Sequence, residues 1–114
     1  MEINPVKGTH DVIEDEAVAY QEIEMLLRGV SELRGFVEYR TPVLEHSELF
    51  TRSVGESSDI VRKEMYQFLD KGGRSLTLRP EFTASIVRSM VNAKLYATHD
   101  LPIKAYYVGP AFRY

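Results

Sequence analysis

Cysteine and tryptophan are both absent from the 114 residues. Without cysteine there is no disulfide framework and no thiolate zinc or iron–sulfur site, and a reducing, cytoplasmic setting is the expectation. Nor is there a long hydrophobic run: no stretch approaches the roughly 18 apolar residues of a spanning helix, and the opening Met1-Glu2-Ile3-Asn4-Pro5 has neither the basic head nor the apolar centre of a secretory signal. No excess of positive charge exists either. Lys plus Arg number 14 against 17 Asp plus Glu, a formal charge of −3, so indiscriminate nucleic-acid binding through a basic surface is not expected of these residues, and any contact with nucleic acid is local or lies outside them. Repeats, low-complexity tracts and Pro/Gly/Ser linkers are missing as well, which leaves one domain at most.

What is present is an ordinary globular composition, 44% hydrophobic and 27% charged, enough for a packed core. From about Asp15, Tyr20, Ile23, Leu26, Leu27, Val30 and Leu33 recur at three-and-four spacing behind an acidic Glu14-Asp15-Glu16 start, and Arg34-Gly35 supplies a stop, so a helix is predicted. Val37, Tyr39 and Thr41 alternate with Glu38 and Arg40 and predict a strand that stops near Pro42. Residues 43–61 have no clear period and are read as a short helical turn followed by a loop. Met65–Leu69 and Ser75–Leu78 read as strands joined by Asp70-Lys71-Gly72-Gly73, a hairpin. Beyond Pro80, Ile86, Val87, Met90, Val91 and Leu95 return to helical spacing, and after Pro102 the run Ile103–Val108 reads as a strand. The sum is an α+β fold, a mostly antiparallel sheet packed with helices, rather than an alternating parallel one.

His10, His46 and His99 lie too far apart in sequence to suggest a metal site, and no nucleophile elbow, Walker loop or dinucleotide fingerprint occurs. The informative segment is Leu76-Thr77-Leu78-Arg79-Pro80-Glu81-Phe82-Thr83, where a strand runs into a helix and at once presents a carboxylate and a hydroxyl. Two readings stand side by side. Glu81 and Thr83 are first-turn residues that complement the helix dipole, or they are hooks for a ligand at a strand–helix lip. Arg113, after Gly109-Pro110, is likewise either a strand-end arginine or a guanidinium able to grip a phosphate with two bonds.

A resemblance extends over nearly the whole chain. Lys7-Gly8-Thr9-His10-Asp11, the run Gly35–Glu45, Leu49–Glu56, Asp59–Phe68, Leu76–Thr83 and Tyr107–Arg113 together resemble, in order, the N-terminal part of the catalytic domain of bacterial-type histidyl-tRNA synthetases, which are class II aminoacyl-tRNA synthetases. The resemblance implies that residues 1–114 are a partial class II catalytic domain, from motif 1 to the start of motif 2. It implies that Glu81 and Thr83 hold the α-amino group of histidine and that Arg113 binds the ATP α-phosphate and the histidine carboxylate. Tyr66, Phe82 and Tyr107 become candidate pocket residues, although Tyr66 and Tyr107 also fit a core role as aromatics on strands. Arg62, Lys63 and Glu64 read as a solvated charge run. Pro42 falls at the proline of motif 1, which implies a homodimer, while a proline at a strand end is also what any edge strand tolerates.

ATP enters as substrate with Mg2+, tRNA as the acceptor, and the chain itself carries no metal site in this reading. Phe82 departs from the family pattern, in which many bacterial relatives have glycine between the glutamate and the threonine. Tyr114 falls inside motif 2, where the family continues with Glu-Arg-Pro, so these residues alone are expected to be inactive. Two other functions remain open: the synthetase-like regulatory subunit of ATP phosphoribosyltransferase, against which Glu81 and the Arg62–Phe68 block speak, and a non-catalytic dimerisation module. The leading reading requires the Glu81 carboxylate and the Arg113 guanidinium to converge on one pocket.

Overall fold

A computed structural model describes residues 2–54 and 63–114, in two compact units, residues 1–37 and 38–114. The predicted loop beyond residue 54, with Gly55, Glu56, Asp59, Ile60, Val61 and Arg62, lies outside the described residues.

In the first unit α1 spans Glu14–Leu33, with Glu14, Asp15 and Glu16 in its first turn, where carboxylates oppose the positive end of the helix dipole. Its stop is encoded locally. Gly35 takes φ +84°, its N–H donates to the Glu32 carbonyl at 3.0 Å, and the Phe36 N–H donates to the Ser31 carbonyl at 3.0 Å. These are the paired bonds of a Schellman motif, which satisfies terminal carbonyls by turning the chain through a left-handed residue. Within this unit the predicted apolar stripe is exposed: Tyr20, Ile23, Leu26, Leu27, Val30 and Leu33 are between 47% and 89% exposed.

After β1 (Val37–Glu38), the second unit contains β2 (Leu44–His46), α2 (Ser47–Val54), β3 (Tyr66–Leu69), β4 (Ser75–Leu78), α3 (Thr83–Asn92), α4 (Leu95–Thr98) and β5 (Ala105–Tyr106). A three-stranded antiparallel sheet has the order β2-β4-β3. β1 and β5 form a two-stranded sheet, next to which the Tyr39 N–H donates to the Tyr106 carbonyl at 3.0 Å. The hairpin is where the glycines placed it. Asp70 Oδ1 accepts from the Gly72 and Arg74 amides, both at 2.9 Å, and Oδ2 accepts from Arg74 Nε at 2.8 Å. The Arg74 amide above all holds the Asp70 carboxyl below its usual value against an upward pull from burial, and the Arg74 guanidinium and the Gly72 amide add to the lowering.

Register places Glu45, Thr77 and Gln67 side by side across the three strands, so they share one face of the sheet. Thr77 is fully buried there and Glu45 is 9% exposed, in a small core with Phe50, Ala84 and Ile86. Most of the polar members are paired, the buried Ser85 hydroxyl being an exception. Thr77 Oγ1 donates to Ser47 Oγ at 2.7 Å, Ser47 Oγ meets Ser75 Oγ at 2.8 Å, and Gln67 Nε2 donates to Ser75 Oγ at 2.9 Å. Arg88 on α3 sends Nε and Nη2 to Glu45 Oε2 at 3.0 and 2.9 Å, which fastens the helix to the sheet.

The structure corrects three boundaries. Residues 44–46 are a strand and 47–54 a full eight-residue helix, where a short turn and loop are expected from the sequence. The buried member of β2 is a glutamate whose partner lies 43 positions away, so its apolar–polar alternation is inverted. β1 is only two residues long and stops well before Pro42. The strand expected over Ile103–Val108 contracts to Ala105–Tyr106, because the chain beyond it takes other partners: the Phe112 N–H donates to the Arg79 carbonyl at 2.8 Å and the Tyr114 N–H to the Glu64 carbonyl at 2.7 Å.

Candidate functional site

β4 ends in Leu78, and the next residues, Arg79 and Pro80, are buried. A proline donates no amide to the ladder, and the chain leaves the sheet here to start α3 at Thr83. Phe82 in the N-cap position has no side-chain cap. Glu81 takes over that duty: its carboxylate accepts the Ala84 N–H, with Oε1 at 3.2 Å and Oε2 at 3.3 Å. The helix-start reading of Glu81 therefore describes one thing this carboxylate does, and the bond also fixes its orientation at the positive end of α3.

The same carboxylate lines an open depression of about 590 Å³ with Pro80, Phe82, Thr83, Tyr107, Ala111 and Arg113. Arg113 arrives from the opposite end of the sequence, and its Nε donates to the Pro80 carbonyl at 3.0 Å. Residues 112–114 run alongside Arg79 and Glu64 through the two backbone bonds described above, so Arg113 is held by its chain neighbours on either side and by its own Nε. One wall is aromatic. Phe82 and Tyr107 stack with ring centroids 5.3 Å apart and planes 25° apart, and the Tyr107 hydroxyl lies 3.4 Å from Thr83 Oγ1. An acidic group, a hydroxyl, a flat apolar wall and a fixed cation thus share one concavity, a set suited to a zwitterionic ligand with an anionic neighbour.

Of the residues singled out from sequence, Glu81, Phe82, Thr83, Tyr107 and Arg113 are brought together there. Tyr66 is not among the lining residues and instead packs edge-on against Tyr114, centroids 5.9 Å apart. Pro42 is exposed in the connection between β1 and β2, flanked by Thr41 and Val43, whose carbonyls accept bonds from Arg79. Lys63 is exposed and Glu64 half-buried. Among the described residues, no group of three His, Asp or Glu side chains could hold a metal ion, and no helix is long and apolar enough to cross a membrane.

Sequence reasoning missed Arg79. It is 5% exposed, and its signal lay in the alternation: two positions after the buried Thr77, it must point to the same inner face.

Comparison with known proteins agrees with this architecture. The structure of apo histidyl-tRNA synthetase from S. aureus superposes with a TM-score of 0.84 at 38% identity, covering 98% of this chain and 26% of that one. The α+β arrangement is thus that of an aminoacyl-tRNA synthetase catalytic domain. A family model described as histidyl-tRNA synthetase matches residues 8–114, and the chain belongs to that family. The histidine–tRNA ligase 1 of Shouchella clausii (strain KSM-K16) is 54% identical over 114 residues, all of this chain and 27% of that protein. A structure titled as an ATP phosphoribosyltransferase regulatory subunit/histidyl-tRNA synthetase, from Bacillus halodurans C, aligns with a TM-score of 0.80 at 25% identity, over 99% of this chain and 28% of that one. The chain therefore spans roughly a quarter of the length of the relatives it matches.

Proposed function

We propose that residues 1–114 form the first part of a class II catalytic domain, motif 1 through the start of motif 2, in a histidine–tRNA ligase that activates histidine with ATP and passes it to tRNA in the cytoplasm. The observation that carries this reading is the shared depression of Glu81 and Arg113. In it the Glu81 carboxylate, steadied by the Ala84 amide, receives the histidine ammonium together with the Thr83 hydroxyl. Such a charge-assisted bond contributes about 1.5–3 kcal/mol. Arg113 takes the carboxylate of the amino acid and the α-phosphate of ATP. One carboxylate oxygen attacks the α-phosphorus, the bond to the bridging oxygen of the β-phosphate breaks, and pyrophosphate leaves. Negative charge spreads over the α-phosphate oxygens, and a guanidinium already held by Pro80 stabilises it without having to reorganise. No covalent enzyme intermediate is required. Mg2+ enters with the triphosphate of ATP, and tRNA contacts come from the rest of the intact ligase.

Histidine-dependent exchange of pyrophosphate into ATP by the intact protein tests the reading directly: histidine is expected to stimulate exchange and other amino acids are not. The resemblance to the structure titled partly as a phosphoribosyltransferase regulatory subunit supports a second reading, a histidine-binding regulator. Calorimetric histidine binding with no exchange would install that second reading in place of the first.

The intact protein is further proposed to be a homodimer, with the α1 segment and Pro42 at the interface. Support comes from the exposed apolar stripe of α1, the kind of surface that marks an interaction site. Sedimentation equilibrium at micromolar concentration should return twice the monomer mass, and a strict monomer would refute the dimer.

A further inference from the structure

We propose that Arg79 is the positioning residue of this site, a buried guanidinium that fixes the 109–113 segment and the Phe82 ring and thereby holds Arg113 opposite Glu81. Its kinetic consequences rest on the ligase reading; its structural consequences do not.

Arg79 sits at a crossing of three chain segments. Its backbone N–H donates to the Val43 carbonyl at 2.9 Å, and its carbonyl accepts the Phe112 N–H at 2.8 Å. The side chain repeats the connection: Nε donates to the Pro110 carbonyl at 2.8 Å and Nη1 to the Thr41 carbonyl at 3.1 Å. The flat of the guanidinium covers Phe82, with Cζ 4.4 Å from the ring centroid, and Phe82 in turn stacks on Tyr107. Arg79 therefore backs the aromatic wall that Phe82 and Tyr107 form. The next residue, Pro80, supplies the carbonyl that holds Arg113 Nε.

Gly109 shows how closely this arrangement fits. A Cβ on that residue would come within 2.6 Å of Arg79 Nη2, a distance at which the guanidinium must move although Nε and Nη1 are already bonded. Only a planar, forked cation can lie on an aromatic face and reach two carbonyls at once; a lysine ammonium keeps the charge but not this geometry. Arg79 touches neither substrate in the proposed chemistry, so its effect is transmitted through the placement of Arg113, Phe82 and Tyr107.

Two variants reach the same guanidinium from opposite sides. In the intact ligase, Arg79→Lys is expected to lower the kcat of exchange by up to about 10²-fold, as misplacement of a reacting group by around 1 Å can. Gly109→Ala, which displaces the guanidinium, should act in the same direction. Because both work through one group, the double variant should be no slower than the slower single variant; losses that multiply would overturn the proposal. In the 114-residue chain, the Phe112 amide, bonded to the Arg79 carbonyl, should exchange its hydrogen at least tenfold faster in Arg79→Lys, read by NMR, while the β3–β4 ladder amides keep their rates. If Arg79→Lys does not fold, Gly109→Ala carries both measurements alone. Unchanged Phe112 exchange overturns the positioning role whatever the protein catalyses. A wild-type protein silent in pyrophosphate exchange overturns the ligase reading instead, and the amide result still decides for or against Arg79.

Discussion

On the proposed function, Arg113→Ala in the intact protein is expected to reduce histidine-dependent pyrophosphate exchange by about 10²–10³-fold, the loss typical of removing one preorganised donor from a developing oxyanion. Stability should hardly change. The Arg113 side chain is exposed, and the bond its Nε makes with the Pro80 carbonyl has a net worth of about 1 kcal/mol in a partly solvated position. Arg113→Lys should recover only part of the rate, since an ammonium cannot span two oxygens of the reacting pair in one plane. The loss should fall mainly on kcat, because the charge it meets is largest in the transition state. Exchange within twofold of wild type, in a variant that melts normally, would remove Arg113 from the mechanism and with it the observation on which the proposed function depends.

The largest stability effect is expected from Arg88→Ala. Arg88 places two donors on one oxygen of Glu45, whose side chain is only 8% exposed. Deleting the arginine leaves a buried carboxylate without its cation, which costs about 3–5 kcal/mol. Set against the roughly 5–15 kcal/mol that a domain of this size has in total, that is a severe loss, and a fall in melting temperature of about 10 °C or more follows. The double variant Glu45→Gln/Arg88→Met should regain much of it, because no unpaired charge remains and the methionine fills part of the space. A melting temperature for Arg88→Ala within about two degrees of wild type would show that the carboxylate finds water, and that the pair does not fasten α3. The consequence reaches the site, since the same helix begins at Thr83 and carries the Ala84 amide that orients Glu81.

Elements whose causes are local were legible in the sequence. The α1 stop needs Gly35 to take a positive φ within two residues of the helix end, and the hairpin needs Asp70 to collect amides two and four residues ahead; both are decided within one turn of chain. The strand β2 was not legible, because its inward residue is a glutamate made acceptable only by Arg88, 43 positions later. For the same reason the site was legible in parts. Glu81, Thr83 and Arg113 stand in recognisable motifs, whereas Tyr66 could be assigned either to the pocket or to packing until its ring was found against Tyr114.

By itself, the sequence determined the composition that excludes thiolate chemistry, the periodicities of α1 and α3, the hairpin turn, and the candidate site residues Glu81, Thr83 and Arg113. Only the tertiary structure decided that Glu81 and Arg113 meet in one concavity, that Phe82 contacts both Arg79 and Tyr107, and that a glutamate belongs in the core. The physical reason is separation along the chain: hydrogen bonds and ring contacts between residues tens of positions apart depend on where the strands bring them. Burial then converts an ordinary arginine such as Arg79 into a fixed part of the wall.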